Sequence, residues 1–260
     1  MAFTAVVAAS WRLYRSIIGR LIFLFMLLHV VALAVEETLI AVARDAPDAV
    51  TILLGLFNVL VGVLLGSALV SATCMVVVSQ LNGTSTSGIE ALLGLPRKRE
   101  LLAAGLFLGM LTMVLATLLP PEFSASILWV LYGPLIVAHI IVVERASLQE
   151  AWARAKQLWE RHMVRIFLYL FCIAILILLL QGLLGALVYL SIFEDNAQGV
   201  GVDVVGAGLS VLLQSLFLPF LAIAATVMYL ELRARKEDLT LEGLQEEWRA
   251  TRAARVATQD

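Results

Sequence analysis

Three histidines, two cysteines and a thin scatter of polar side chains are the residues of this chain best suited to carry chemistry. His29, His139 and His162 belong to a type that ligates haem iron or a metal ion. His29 lies toward the outer half of one apolar run, and His139 toward the inner end of another. At about 1.5 Å of rise per residue their depths differ by roughly 10 Å or more. One metal needs its ligands about 2 Å away, so the two cannot share an ion. Each is expected to make an interhelical hydrogen bond instead. Cys74 and Cys172 sit in apolar runs without CxxC spacing, and read as small packing residues. No nucleophile elbow, HExxH, Walker loop or paired acidic motif of a phosphodiesterase occurs. The expectation is a non-enzyme with no cofactor and no metal.

The elements that must hold these residues follow from composition. Of 260 residues, 62% are hydrophobic and only 15% charged, with a mean hydropathy of +0.98. A soluble domain averages about 25% charged residues. The excess apolar surface here calls for lipid as solvent. Six runs reach the roughly 20 residues needed to cross the hydrocarbon: about 17–35, 51–78, 101–119, 124–143, 163–190 and 204–230. None contains Asp or Glu. Backbone groups in lipid must bond internally, so each run is predicted helical, giving an all-α polytopic bundle. Arg12, Arg15 and Arg20, followed by an apolar stretch with Ala32-Leu33-Ala34, have the outline of a cleaved signal peptide. The basic stretch is longer than in such peptides, and the run is read as the first span.

Alternating sides along the six runs puts every Lys and Arg except Arg44 on one face, which the positive-inside rule makes cytoplasmic, both termini included. Trp11, Trp152, Trp159 and Tyr229 fall near that inner boundary, and Trp129 and Tyr189 near the outer one. Polar groups within the spans are modest. Asn58, Gln181 and Gln214, with the mid-helix prolines Pro134 and Pro219, are the candidates to line a cavity. Gly62-x-x-x-Gly66 and Gly105-x-x-x-Gly109 are small-residue faces suited to packing within the chain or to self-association.

The cytoplasmic segments repeat a pattern. Ser147-Leu-Gln-Glu150 has capping-box form, and Leu148, Ala151, Trp152, Ala155, Leu158, Trp159 and Met163 recur on one helical face. Glu150, Arg154, Gln157 and Arg161 form the opposite stripe, so an amphipathic helix in the inner interface is predicted. Ser87-Gly-Ile-Glu90-Ala91 repeats the signature, and Leu13-Tyr14 with Arg20 echoes it more weakly. The chain divides into three hairpins, about 4–80, 87–145 and 147–236, within one membrane domain of residues 1–245. Residues 246–260 complete a cytoplasmic C-terminal helix that starts near Asp238, and a disordered tail.

The last run exits through Pro219-Phe-Leu-Ala…Met228-Tyr229-Leu-Glu231-Leu-Arg233-Ala-Arg235-Lys236-Glu237. With the Ser147–Ala151 segment, this resembles a bacterial and archaeal membrane-domain family. That family comprises the membrane domain of some glycerophosphodiester phosphodiesterases and stand-alone YciC-like integral membrane proteins. The resemblance covers about 124–244; it implies a bacterial or archaeal cytoplasmic membrane, and no phosphodiesterase domain accompanies it here.

The expected function is to scaffold a membrane complex or to organise lipid at the inner leaflet. The alternative is a transporter or flippase of a lipid-like or neutral solute. The residues expected to meet anionic lipid are Trp11, Arg12, Arg15, Trp152, Arg154, Trp159, Arg161, Arg165, Tyr229, Arg233, Arg235 and Lys236. A protein partner is also accommodated; a nucleic-acid partner is not expected.

Overall fold

The computed structural model of the chain describes residues 3–44, 47–118, 136–159, 168–169, 171–173, 175–177, 179–180, 182–186 and 200–238, with Thr240, Gly243, Glu246 and Ala250. Among these residues the chain is helical, with no strand. Six helices carry labels here: α1 (Phe3–Ala43), α2 (Asp48–Leu81), α3 (Gly88–Leu93), α4 (Lys98–Leu118), α5 (Leu148–Trp159) and α6 (Val200–Glu237). Residues 136–143 and parts of 168–186 are helical too. By length and composition, α1, α2 and the Val211–Glu237 part of α6 can each cross a membrane.

Helix α1 is longer than hydropathy alone predicts. The amphipathic stretch around Tyr14 and the apolar run after Arg20 form one uninterrupted helix, since no Pro lies between them and the single Gly19 is too weak a breaker to end the ladder. Helix α2 likewise overruns its apolar core at both ends. It stops where Gly83 takes a φ of 71°, a left-handed conformation cheap only for glycine. Helix α2 is the hub and contacts α1, α3, α4 and α6, while α1 also lies along α6.

Small residues bring α4 against α2. A Cβ on Gly105 would lie 2.9 Å from Leu64 Cδ2, and one on Gly109 2.5 Å from Leu60 Cδ1. This face packs within the chain. On α2, by contrast, the Cβ directions of Gly62 and Gly66 are open. The core forms two clusters. One joins Ile17, Leu21, Leu24 and Phe25 of α1 to Ala72 and Val76 of α2 and Ile223 and Ala224 of α6. The other gathers Cys74, Leu101, residues 136–143, the inner face of α5 and Tyr229.

Both predicted capping boxes form. The Ser87 hydroxyl accepts from Glu90 N–H at 3.2 Å, and the Glu90 carboxylate accepts from Ser87 N–H at 2.9 Å. Ser147 and Glu150 repeat the exchange at 3.4 Å and 2.7 Å. These bonds satisfy donors that a helix start leaves without intrahelical partners. Glu100 of α4 adds an acceptor for Leu148 N–H, at 3.1 Å, so α4 caps α5 as well.

Candidate functional site

The densest polar constellation lies where α5, α6 and the turn after residues 136–143 meet. Arg145, at φ 54°, turns the chain out of the 136–143 helix, and this leaves Glu144 on the corner. Ser147 then starts α5, whose Ala151, Ala155 and Leu158 are buried at helical spacing. Arg154 stands three residues after Ala151 and four before Leu158, so it borders that inward stripe. Helix α6 supplies Thr226, Tyr229, Arg233 and Glu237, successive turns of one face.

Glu144 is the centre. It accepts the Tyr229 hydroxyl at 2.8 Å and Arg154 Nε at 3.3 Å, and Arg233 Nε stands 3.5 Å away. Glu237 pairs with Arg233 Nε at 3.0 Å and with the Arg154 guanidinium. Two carboxylates and two guanidiniums thus form a closed, electrically neutral square. Tyr229 is fully buried and Arg233 only 6% exposed. Buried charges persist when paired and hydrogen-bonded in this way. Beside the square, the Lys236 ammonium donates to the Gln157 carbonyl at the end of α5, where unmatched carbonyls attract cations. Arg235 pairs with Glu231 at 2.8 Å.

A second polar chain runs from the square into the core. His139 stands 3.0 Å from the Thr226 hydroxyl, and that hydroxyl donates its own proton to the Ala222 carbonyl at 2.9 Å. With that proton given to the carbonyl, the hydroxyl oxygen accepts from His139 Nε2. The His139 ring tilts against Tyr229 with centroids 5.6 Å apart. His139 makes the interhelical bond expected of it. His29 does not: its Nδ1 lies 2.7 Å from the Phe25 carbonyl of its own helix, the nearest acceptor for a side chain four residues on.

Several predicted lipid-facing residues take other places. Tyr229 and Arg233 turn inward onto Glu144, since an adjacent carboxylate holds a guanidinium or phenol better than a screened headgroup layer does. Arg154 leaves the predicted solvent stripe for the same partner. Trp152 stays half-exposed and sets its ring edge-on to Phe107 of α4 (5.7 Å, 82°). Trp11 is 51% exposed and stacks on Tyr14, whose hydroxyl donates to the Leu216 carbonyl at 2.8 Å. That carbonyl lies in the turn before Pro219, where the proline weakens the ladder. Arg12, Arg15, Arg235 and Lys236 are exposed.

Arg161, Arg165, Pro134, Gln181 and the Trp159 side chain lie outside the described residues. Glu144 and Glu237, absent from the predicted site, are its counter-charges. The one signal for them is acidic residues standing where an inner boundary is otherwise basic.

A cleft of about 120 Å³ opens between α1, α2 and α6. Phe25, Gly66, Leu69, Val70, Leu218, Leu221, Ala222 and Ala225 line it, all of them apolar or glycine. Asn58 and Gln214 are half-buried elsewhere and do not line it. Among the described residues, no three His, Cys, Asp or Glu side chains converge as a metal set. Both carboxylates of the square are held by guanidiniums, a geometry suited to fastening α5 to α6. No protein-family model, curated protein or solved structure matches the chain.

Proposed function

We propose that this chain is a non-catalytic, six-span protein of a bacterial or archaeal cytoplasmic membrane that binds and organises lipid at the inner leaflet. Both termini are cytoplasmic in this reading, and the six spans form three hairpins. The observation that carries it is the pairing at the inner boundary. The carboxylates of the square are neutralised by guanidiniums, while the cleft beside an earlier part of α6 has an apolar lining suited to an acyl chain. The one-sided distribution of cations supports the orientation. Kinship with the YciC-like membrane domains forms part of the proposal and rests on the Pro219–Glu237 and Ser147–Ala151 segments. A transport reading asks for a polar path, and the apolar lining of the cleft favours lipid binding over it.

Two experiments test this. Cysteines introduced one at a time at Ala49 and Ala250 in a Cys172→Ser background, where the remaining Cys74 is buried, and probed with an impermeant maleimide on right-side-out vesicles, are expected to label only at Ala49. Labelling at both positions refutes the topology. Native mass spectrometry of the protein released from lipid nanodiscs is expected to retain phospholipid. Bare protein together with rapid scrambling of a labelled phospholipid in proteoliposomes would replace lipid organisation with transport.

A further inference from the structure

The cations of the inner face differ in how they are engaged. Arg12, Arg15 and Lys156 are exposed singly along their helices, and Arg20 bonds Gln80. On α5 and α6, Arg154, Arg233 and Arg235 each hold a carboxylate and Lys236 a carbonyl. At the elbow joining α3 to α4, Arg97, Lys98 and Arg99 are all exposed. Among the described residues no ion pair ties Lys98 or Arg99 to a carboxylate. The Glu150 carboxyl, held low chiefly by the Ser147 N–H of the cap it closes, is also close enough to Arg97 to be lowered by it. The acids nearest the cluster in sequence are committed. Glu90 closes the Ser87 cap, and Glu100 accepts from Leu148 N–H. We infer that this elbow is the protein's anionic-lipid headgroup site, a proposal that rests on the lipid-binding reading above.

Three features favour a bilayer over a soluble acidic partner. First, Ile89 and Leu93 stand one turn apart on α3, 37% and 67% exposed, beside the cations. An apolar pair under a basic cluster is the composition of an interfacial segment. Second, Arg99, Leu102, Leu106 and Met110 recur at intervals of three and four along α4, and the three apolar members are exposed. This stripe runs about 16 Å from the guanidinium into what must be hydrocarbon, so the cations lie at headgroup depth at its foot.

Third, the elbow is held in place. A Cβ on Gly88 would lie 2.8 Å from the Arg20 carbonyl oxygen, so α3 is wedged on the backbone of α1. Pro96 is buried, and Arg97 is kept at a φ of 47°, where a glycine would be easier. A site fixed before its ligand arrives loses less entropy on binding.

Each surface cation contributes about fivefold to affinity for an anionic leaflet, so three contribute about a hundredfold. The full chain is titrated in neutral detergent with dioctanoyl phosphatidylglycerol or dioctanoyl phosphatidylcholine, and bound lipid is counted by native mass spectrometry. Wild type is expected to prefer phosphatidylglycerol, and R97Q/K98Q/R99Q to lose that preference, with R12Q/R15Q nearer to wild type. Wild-type binding that does not distinguish the two lipids overturns the elbow site together with the inner-leaflet lipid reading. A wild-type preference left intact in the triple variant overturns the elbow site alone.

A second readout does not depend on the charges. A nitroxide on Leu93→Cys, in a Cys172→Ser background and in phosphatidylglycerol nanodiscs, is expected to be more accessible to oxygen than to an aqueous nickel chelate. The reverse order places the elbow in water, where it would serve a soluble acidic partner, and overturns the proposal.

Discussion

Replacing Glu144 with glutamine tests whether the charge square fastens α5 to α6. The substitution keeps the shape and removes one negative charge from a set of two carboxylates and two guanidiniums. Tyr229 then donates to a neutral oxygen, and Arg154 and Arg233 are left to share Glu237. Orphaning a buried charge costs about 3–5 kcal/mol. Here Glu237 remains 3.0 Å from Arg233, and the Arg154 side chain is 30% exposed, so part of that penalty is relieved. The expected loss is about 2–3 kcal/mol. Adding Arg154→Gln restores neutrality, so the double variant should lose about 1–2 kcal/mol less than the two singles together. Denaturation in bicelles gives the energies, and amide exchange across α5 gives the location. A loss under about 0.5 kcal/mol, the level of an exposed ion pair, with α5 still protected, would show that the square is screened by water and that the fastening argument is mistaken.

The two small-residue motifs should respond with opposite signs. Gly109→Ala drives a methyl into Leu60 and should lower stability by about 1–3 kcal/mol, whereas Gly62→Ala meets open space and should raise it by about 0.5–1 kcal/mol. Thermal unfolding in detergent reads both. Tyr14→Phe keeps the ring contacts with Trp11 and Phe220 but removes the bond to Leu216, for a loss of about 1 kcal/mol in the same assay. The Glu90 and Glu150 carboxyls lie below the ordinary glutamate range, chiefly because each accepts its own cap's backbone N–H and then the serine hydroxyl. A depressed carboxyl stabilises the fold at neutral pH and loses that effect as pH falls through its folded-state value. Exchange protection at the starts of α3 and α5, corrected for intrinsic rates, should therefore hold from pH 7 to pH 5 and fall only below the glutamate range. Ser147→Ala should move the fall at α5 to higher pH.

What the residues disclosed in advance was local. The capping boxes at Ser87 and Ser147 are bonds between positions three apart, and such spacing can be read directly. The apolar cores of α1, α2, α4 and α6 follow from hydropathy over consecutive residues. The square was not legible, because its bonds join positions far apart: Tyr229 and Glu144 are separated by 85 residues. A tyrosine and an arginine at the end of an apolar run look alike whether they face headgroups or a buried carboxylate. Arg154 misled for a related reason. Helical spacing allows it on the edge of the Ala151–Ala155–Leu158 stripe, but an arginine earns that place only if an acid waits there. The continuity of α1 was hidden because its hydropathy changes midway while its backbone does not.

The bond from Tyr14 to the Leu216 carbonyl spans 202 residues, and this has a consequence for biogenesis. At about 5–20 residues per second of synthesis, roughly 10–40 s separate the appearance of these two partners at the ribosome. Throughout that interval α1 lacks the helix it packs along, and Glu144, once made, lacks the Tyr229 and Arg233 that complete its surroundings. Closure is therefore a late event, controlled by α6, the last of the six labelled helices to be made. A chain that stalls before α6 presents a half-built corner, with Glu144 holding Arg154 alone, and an uncovered α1 flank, features by which a membrane protease could distinguish an unfinished copy from a finished one.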